Sequence, residues 1–292
     1  MPLFKHILFP VDFSDRCFAA RGFVQAVAQK FEAKVTLLHV VHAPAEWYGG
    51  FEGPTMVAYN TPKLVEEAEK QLEEFSSFPE STSVQNIVIL GNPGDSIPDY
   101  AEHHEVDLIL MPTHGYGKFR RVLMGSVTSK VLHDAHCAVW TSAHQEDWSK
   151  SERSGCHTIL CSVETTPESG PETITLLHRA SVLAGFLEAK LRVIHAVPLE
   201  AGWPEQYSGA EYREFLLQRG RQEVNELQKQ AGVQHEACVQ IGDAARVVHN
   251  AAEGYRADLV IIGRGRSQGA LGDLRSSALD IVREAPCPVL SY

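Results

Sequence analysis

The chain has 292 residues, a formal net charge of −11, and 44% hydrophobic and 22% charged residues. This length is comfortable for two domains, and the composition is that of a globular protein with a substantial core. The negative charge disfavours nucleic acid and membrane surfaces as partners, because both are anionic, but it leaves room for a small anion in a locally basic pocket. No apolar run approaches the roughly 20 residues of a membrane-spanning helix. The first residues, MPLFKHILFPVDFS, lack the layout of a signal peptide, so a cytoplasmic location is the default expectation.

The first half of the chain alternates apolar runs with segments of helical periodicity. Strands are predicted at 5–11, 35–41, 86–90, 108–111 and 138–141. Ser14 is placed to cap the first helix, and Thr61-Pro62 is a typical start for the second. An insert rich in Pro, Gly and aromatic residues at 43–60 is a candidate lid or contact surface. The β-α-β-α-β-α-β-α-β order predicts an open parallel sheet with helices on both faces.

The pattern then starts again after a polar stretch, and the second half repeats the first. HTILCSVE at 157–164 matches HILFPVD at 6–12, and ADLVIIGRGR at 257–266 matches VDLILMPTHG at 106–115. Five such pairs of segments keep an offset between 150 and 156 residues, which indicates a tandem duplication. The predicted domains are 1–143 and 156–292, with a linker at 144–155.

The six cysteines form no recognisable metal or redox motif. No CxxC pair occurs, and most of the cysteines lie in apolar strand or helix patterns, which is typical of reduced packing residues. HDAHC at 133–137 has ligand residue types, but no second ligand cluster accompanies it. We therefore expect no metal site. GxSxG, HExxH and Walker A motifs are also missing from the sequence, which favours a binding protein over a dedicated enzyme.

The segment from Asp107 to Ser126 is the main candidate for function. A buried strand is stopped by Pro112, and a loop with the cations Lys118, Arg120 and Arg121 leads to a helix start at Gly125-Ser126. Free backbone N–H groups and the helix dipole make such a helix start an anion site. The alternative is an ordinary loop whose glycines only turn the chain and whose cations are solvated.

With both copies compared, the sequence resembles the universal stress protein family in its tandem two-domain form. The resemblance covers nearly the whole chain and rests on FPVDFS, the HVV strand, the GxPxxxI turn and the Gly-containing loop followed by GSVTSKVLHDA. It implies an α/β fold of two tandem open five-stranded parallel α/β sandwiches, with strand order 3-2-1-4-5, of the adenine nucleotide alpha hydrolase-like type. Some members bind ATP through G-x2-G-x9-G-[ST], whereas others lack the motif and bind no nucleotide.

The resemblance implies an ATP site, with or without Mg²⁺, in the first copy. There the motif reads Pro112-Thr113-His114-Gly115, nine residues, then Gly125-Ser126, so Pro112 replaces the first glycine and removes one N–H. By family analogy Asp12 lies near the adenosine and the end of the second strand packs beside the base. The expected binding residues are Asp12, Val40, Val41, Pro112, Thr113, His114, Gly115, Gly125, Ser126, Val127 and Thr128.

The second copy is expected to have lost this site. It aligns as Gly263-Arg264-Gly265-Arg266, nine residues, then Ser276-Ser277, and Glu164 takes the place of Asp12. GRGRSQGALG superficially looks like a dinucleotide fingerprint, but it follows the fourth strand of its unit and not the first. The arginine-rich loop is either structural or a site for a different anion.

Three functions therefore compete. The first is a cytoplasmic stress-response protein that binds ATP in its N-terminal domain, with slow hydrolysis left open. The second is a nucleotide-free interaction scaffold, and the third is a sensor of another small anion through the second-domain arginine loop. The resemblance also implies an intramolecular pseudo-dimer across the last strands, 138–141 and 288–291. A homodimer and the identity of a protein partner are left open.

Overall fold

A computed structural model describes residues 3–42, 55–79, 82–112, 124–142, 155–198, 209–265 and 276–292. It divides the chain into two compact units, Met1–Lys150 and Ser151–Tyr292. The linker bounds of 144–155 and the intramolecular pseudo-dimer stay predictions. No helix within the described ranges is long and apolar enough to cross a membrane.

The first unit is a five-stranded parallel sheet covered by four described helices. Its elements are β1 (His6–Pro10), α1 (Asp15–Phe31), β2 (Lys34–Val41), α2 (Thr55–Phe75), β3 (Val84–Leu90), α3 (Pro93–His103), β4 (Leu108–Pro112), α4 (Ser126–Asp134) and β5 (Ala138–Ser142). The strand order is β3-β2-β1-β4-β5, with every pair parallel. This confirms the predicted order 3-2-1-4-5.

The second unit repeats this architecture. Its elements are β6 (Thr158–Ser162), α5 (Gly170–Leu187), β7 (Lys190–Val197), α6 (Ala210–Gln230), β8 (Glu236–Ile241), α7 (Ala244–Tyr255), β9 (Leu259–Ile262), α8 (Ser276–Glu284) and β10 (Val289–Ser291). The order β8-β7-β6-β9-β10 is again 3-2-1-4-5 and again parallel. The duplication seen in the sequence is therefore a duplication of the fold.

Alternation along the strands separates the helices of the first unit onto two faces. On one face, the ring of Phe9 stacks 6.2 Å from that of Phe75 in α2, and Phe18 of α1 packs 4.9 Å from Phe75. On the other face, His6 Nδ1 lies 3.0 Å from the carbonyl of His104, just after α3, and α3 packs against α4. The helices that follow β1 and β4 therefore lie on opposite faces of the sheet, as expected.

Helix α2 begins earlier than the sequence predicts. The prediction placed its start at Thr61-Pro62, because proline is common in the first turn of a helix. The helix instead begins at Thr55 and Pro62 lies inside it. Proline removes a single N–H donor there, and burial of residues such as Leu72 and Phe75 stabilises the helix as a whole. Residues 43–54 of the predicted insert lie outside the described residues.

Candidate functional site

The carboxyl ends of β1, β2 and β4 share one edge of the first sheet. Strand β1 lies between the other two, with Ile7 opposite Leu108 of β4 and Phe9 opposite Leu37 of β2. Because the chain leaves β1 and β4 toward opposite faces, a crevice opens between the ends of these two strands. Ligands of open α/β sheets characteristically bind at this position.

Asp12 lies at this edge, immediately after β1, with an exposed side chain. One carboxylate oxygen, Oδ1, accepts a hydrogen bond from the backbone N–H of Ser14 at 3.0 Å. The hydroxyl of Ser14 in turn accepts the N–H of Cys17 at 3.3 Å and caps α1. Burial and the nearby Asp12 carboxylate raise the pKa of the Cys17 thiol, so this cysteine stays protonated at neutral pH. The Asp12 loop is thus held by its own side chains.

Val40 and Val41 end β2 beside Asp12, and each is only 8% exposed. Val40 lies on the α3 side of the sheet, where its Cγ1 is 3.9 Å from the position that a Cβ on Gly91 would take. That same Cβ would lie 2.4 Å from the hydroxyl oxygen of Ser96, so the close turn between β3 and α3 requires glycine at this position. Successive side chains of a strand point to opposite faces, so Val40 and Val41 make the end of β2 apolar on both faces of the sheet beside the crevice.

A hydrogen bond joins the two ends of the loop between β4 and α4. The hydroxyl of Thr128, which is 3% exposed, donates to the carbonyl of Pro112 at 3.3 Å. Thr128 is one of the expected binding residues, and in the structure the proton of its hydroxyl is donated within the protein. Thr128 can still offer its backbone N–H at the start of α4.

The N-terminus of α4 has no side-chain cap. Gly125 occupies the N-cap position in an extended conformation, with φ −60° and ψ 142°, and makes no side-chain hydrogen bond. Side-chain oxygens cap α1, α3 and α7 through Ser14, Asn92 and Asp243, whereas α5 and α6 resemble α4 in making no side-chain cap hydrogen bond. The first N–H groups of a helix have no intrahelical acceptor, so those of Ser126 onward are oriented toward the crevice edge.

Most of the loop between Pro112 and Gly125 lies outside the described residues. Thr113, His114 and Gly115, together with the cations Lys118, Arg120 and Arg121, lie outside the described residues. Their assignment to phosphate binding stays a prediction. Of the expected binding residues, the structure brings Asp12, Val40, Val41, Pro112 and 125–128 to the same edge of one sheet.

The second unit fills the equivalent edge with different chemistry. Gly263 stands where the first unit has Pro112, and the following Arg264 is only 8% exposed. The backbone N–H of Arg264 donates to the carbonyl of Tyr292 at 2.9 Å. Glu164 replaces Asp12, and its carbonyl accepts the hydroxyl of Thr173 in α5 at 3.1 Å. A buried cation thus occupies this edge in the second unit.

The loop before α8 is one residue shorter than the sequence alignment assumed. The helices α4 (Ser126–Asp134) and α8 (Ser276–Glu284) have equal length, and the buried Thr128 corresponds to the buried Ala278. Ser276 therefore matches Ser126 and not Gly125, so the alignment of Ser276-Ser277 with Gly125-Ser126 is wrong. The sequence also shows this difference, because the matched segments are offset by 151 residues before the loop (Asp107 and Asp258) and by 150 residues after it (Ala138 and Pro288).

Two histidines at equivalent strand positions of the two units are packed and hydrogen-bonded. His39 Nδ1 lies 2.7 Å from the carbonyl of Val11, and His195 Nδ1 lies 3.0 Å from the carbonyl of Val163. A carbonyl only accepts, so each Nδ1 carries a proton that ties the second strand of its unit to the end of the first. Burial lowers the pKa of His195, which keeps its imidazole neutral.

Phe13 is a residue at this edge that sequence reasoning missed. It adopts a left-handed conformation with φ 57°, which is rare for an aromatic residue. Its ring lies 4.5 Å from that of His39. The counterpart in the second unit, Thr165, instead donates its hydroxyl to Glu223 of α6 at 2.7 Å. No sequence signal marks a phenylalanine with positive φ, because the surrounding packing imposes that conformation.

The family model described as "Universal stress protein family" matches residues 3–142 and again 157–292. The chain belongs to the universal stress protein family. A universal stress protein from Methanocaldococcus jannaschii is 30% identical over 139 residues, covering 47% of this chain and 81% of the relative. Universal stress protein A homolog 1 from Coxiella burnetii is 32% identical over 142 residues, covering 47% of this chain and 96% of the relative. These relatives match one half of the chain, which agrees with the tandem form.

Solved structures share the fold over the full length. A universal stress protein from Archaeoglobus fulgidus superposes with a TM-score of 0.63 at 18% identity, covering 99% of this chain and 97% of that chain. A functionally unknown protein from Pseudomonas aeruginosa gives a TM-score of 0.66 at 17% identity, with 99% and 92% coverage. At these identities the likeness concerns the fold alone.

Proposed function

We propose that the crevice at the ends of β1 and β4 binds an adenine nucleotide, ATP with or without Mg²⁺. The protein then acts as a cytoplasmic regulatory protein of the stress response and not as a dedicated enzyme. The observation that carries the proposal is the N-terminus of α4, which has no side-chain cap and opens at the sheet edge that also carries Asp12. Nucleotide occupancy would bias the conformation or the partners of the first domain.

The N-terminus of α4 suits the phosphate end of the nucleotide. Its first N–H groups, which have no intrahelical acceptor, and the helix dipole stabilise an anion without any basic side chain. The adjacent Ser126 is exposed and supplies a hydroxyl at the same point. Thr128 supports the site indirectly, because its bond to Pro112 fixes the distance between the strand end and the helix start.

The opposite end of the crevice suits the adenosine. Asp12 offers an exposed carboxylate that accepts hydrogen bonds from ribose hydroxyls, and its own loop is held in place by the N–H of Ser14. Val40 and Val41 make the end of β2 apolar on both faces of the sheet, which suits a strand end that packs beside the base, as the family analogy implies. The helix N-terminus, the Asp12 carboxylate and the apolar end of β2 thus match the phosphates, the ribose and the base of a nucleotide.

Pro112 is the feature that opposes the proposal. It supplies no N–H where the family motif has glycine, and it favours the second candidate, a nucleotide-free interaction scaffold. Restoring the donor with Pro112→Gly should therefore tighten ATP binding. A neutral hydrogen bond contributes about 1 kcal/mol, so an approximately five-fold gain is expected.

The test begins with adenine nucleotide retained by the purified protein, measured by mass spectrometry. Titration with Mg-ATP, followed by thermal shift, then gives an affinity. Gly125→Val should abolish binding, because a branched side chain would stand among the N–H groups of α4. Ser126→Val should weaken it, and the matched change Ser276→Val in the second unit should leave it intact.

Three results would decide against the proposal. Absence of retained nucleotide together with no thermal shift would remove ATP binding and leave the scaffold function. Equal losses of ATP affinity from Ser126→Val and Ser276→Val would contradict the proposal that only the first unit binds ATP. Binding of a different anion that is lost on changing Arg264, and not Ser126, would favour the sensor function of the second loop, with Arg266 and Arg275 as its further cations.

A further inference from the structure

Strand β3 is an edge strand whose outer side carries no described partner. In the first unit it pairs with β2 alone, over Val84 to Leu90. All seven of its residues are half or fully exposed, whereas the central strand β1 is almost entirely buried. Leu90, at the end of the strand, is 48% exposed. An apolar side chain left in water at an open sheet edge is typical of a surface that another chain covers.

The hydrogen bonds at both ends of β3 show which of its backbone groups point outward. The carbonyl of Ser83 accepts the N–H of Val35, and the N–H of Gly91 donates to the carbonyl of Val41. In a parallel ladder alternate residues bond to the same neighbour, so the odd-numbered residues of β3 face β2. The even-numbered residues Val84, Asn86, Val88 and Leu90 therefore direct four N–H and four C=O groups away from the sheet.

The strand lacks the usual features that prevent edge pairing. Its sequence, VQNIVIL, has no charge and no proline. The equivalent edge strand β8 differs, since its Glu236 forms ion pairs with Lys190 at 2.9 Å and Arg192 at 3.3 Å, and its Val239 is buried. Charged residues and proline are the common protection of sheet edges, so β3 is the unprotected member of the pair.

We propose that β3 pairs antiparallel with β3 of a second copy of this chain, around a two-fold axis at Ile87. This register places Val84 opposite Leu90 of the second copy and Asn86 opposite its Val88. The two-fold axis generates each of these two residue pairs twice. In every pair, the N–H and the C=O of one residue bond to the C=O and the N–H of the residue opposite. All eight outward groups are thereby satisfied at once.

A second copy fits better than an unrelated strand because β3 is complementary to itself. The facing side chains are uncharged, so the two-fold axis brings no like charges together within the strand pair, and β-branched residues pack well across it. Helix α2 packs against β3, and the symmetry places the two α2 helices antiparallel on one face. This helix carries more glutamate than lysine, so the two α2 helices repel each other in the dimer. Dimerisation should therefore strengthen as added salt screens this repulsion.

The test is the mass of the full-length protein by analytical ultracentrifugation at increasing concentration and at low and moderate salt. Wild type should form a dimer that strengthens with salt. Val88→Pro removes an outward donor and leaves the bonds to β2 intact, so it should raise the dimer dissociation constant about 30-fold through the two lost bonds. Asn86→Lys should act in the same direction by placing a charge at the edge.

The matched control is Ala237→Pro, at an outward position of β8, which should leave the dimer unchanged. Circular dichroism and thermal unfolding establish that each variant is folded. A wild-type protein that stays monomeric would overturn the proposal, and so would a dimer that Val88→Pro and Asn86→Lys both leave intact. Neither result depends on nucleotide, so the test is separate from that of the ATP site.

Discussion

Replacing Asp107 should loosen the start of the first unit's sheet, opposite the proposed site. One oxygen of its carboxylate, Oδ2, accepts the backbone N–H groups of Lys5 at 2.7 Å and His6 at 2.9 Å. The side chain therefore holds β1 to the start of β4, ahead of the first ladder bonds. Asp258 does the same in the second unit, with bonds of 2.8 Å to His157 and Thr158.

The size of the effect follows from the two bonds. A hydrogen bond to a charged group contributes about 1.5–3 kcal/mol, and the lower end applies because Asp107 is only half-buried. Asp107→Ala should then cost about 3 kcal/mol of unfolding free energy. Asp107→Asn keeps an acceptor oxygen and loses only the charge, so it should cost about 1 kcal/mol.

Native-state hydrogen exchange is the suitable assay, because the two units need not unfold together. Asp107→Ala should raise the opening constant of slowly exchanging amides in the first unit about 100-fold, with little change in the second. Asp258→Ala should give the reverse pattern. An equal loss for alanine and asparagine, or a change below about 0.5 kcal/mol, would refute the assignment of these bonds as a charge-assisted pair.

Three further changes test other contacts. Thr128→Val removes the hydrogen bond to Pro112 without changing the shape of the side chain. Urea unfolding should therefore show a loss of about 1–3 kcal/mol in unfolding free energy, and titration should show weaker ATP binding. Thr128→Ser keeps the hydroxyl and should retain the stability and the affinity. Gly220→Ala places a Cβ 2.9 Å from Val239 Cγ1, which is too close for two carbon atoms. The variant should lose about 1–3 kcal/mol of unfolding free energy and melt at a lower Tm, and an unchanged Tm would contradict this packing. Burial lowers the pKa of His6, so the unfolded state binds more protons and stability is lost as the pH falls below about 6.5. His6→Gln should flatten the difference in Tm between pH 7.5 and 5.0.

The two units also show how the same fold position accepts different chemistry. In the first unit His6 Nε2 and the hydroxyl of Thr36 form a buried hydrogen bond of 2.9 Å. The corresponding place in the second unit holds Arg192, whose guanidinium lies 4.3 Å from the centre of the Tyr255 ring. The two copies therefore place different polar groups, with different partners, at this position. Conservation of the strand order therefore did not require conservation of the contacts between strands and helices.

The sequence by itself determined the alternation of parallel strands with helices, the duplication and the choice of the loop after Pro112 as the candidate anion site. These features depend on local patterns, namely apolar runs of strand length and helical periodicity, and each pattern occurs twice in the chain. The family resemblance added the strand order 3-2-1-4-5 and the assignment of Asp12 and the loop after Pro112 to one site. The packed and hydrogen-bonded character of His39 and His195 was also predictable, because their strand positions imply burial.

Only the tertiary structure decided how individual groups are used. Thr128 reaches a carbonyl sixteen residues earlier, and the sequence cannot name that acceptor because a hydroxyl bonds to whichever group the fold brings near. The same holds for the early start of α2 and the positive φ of Phe13, both of which follow from packing between distant segments. The backbone groups at the open edge of β3 are a further case, since only the hydrogen bonds between β3 and β2 show which residues point away from the sheet.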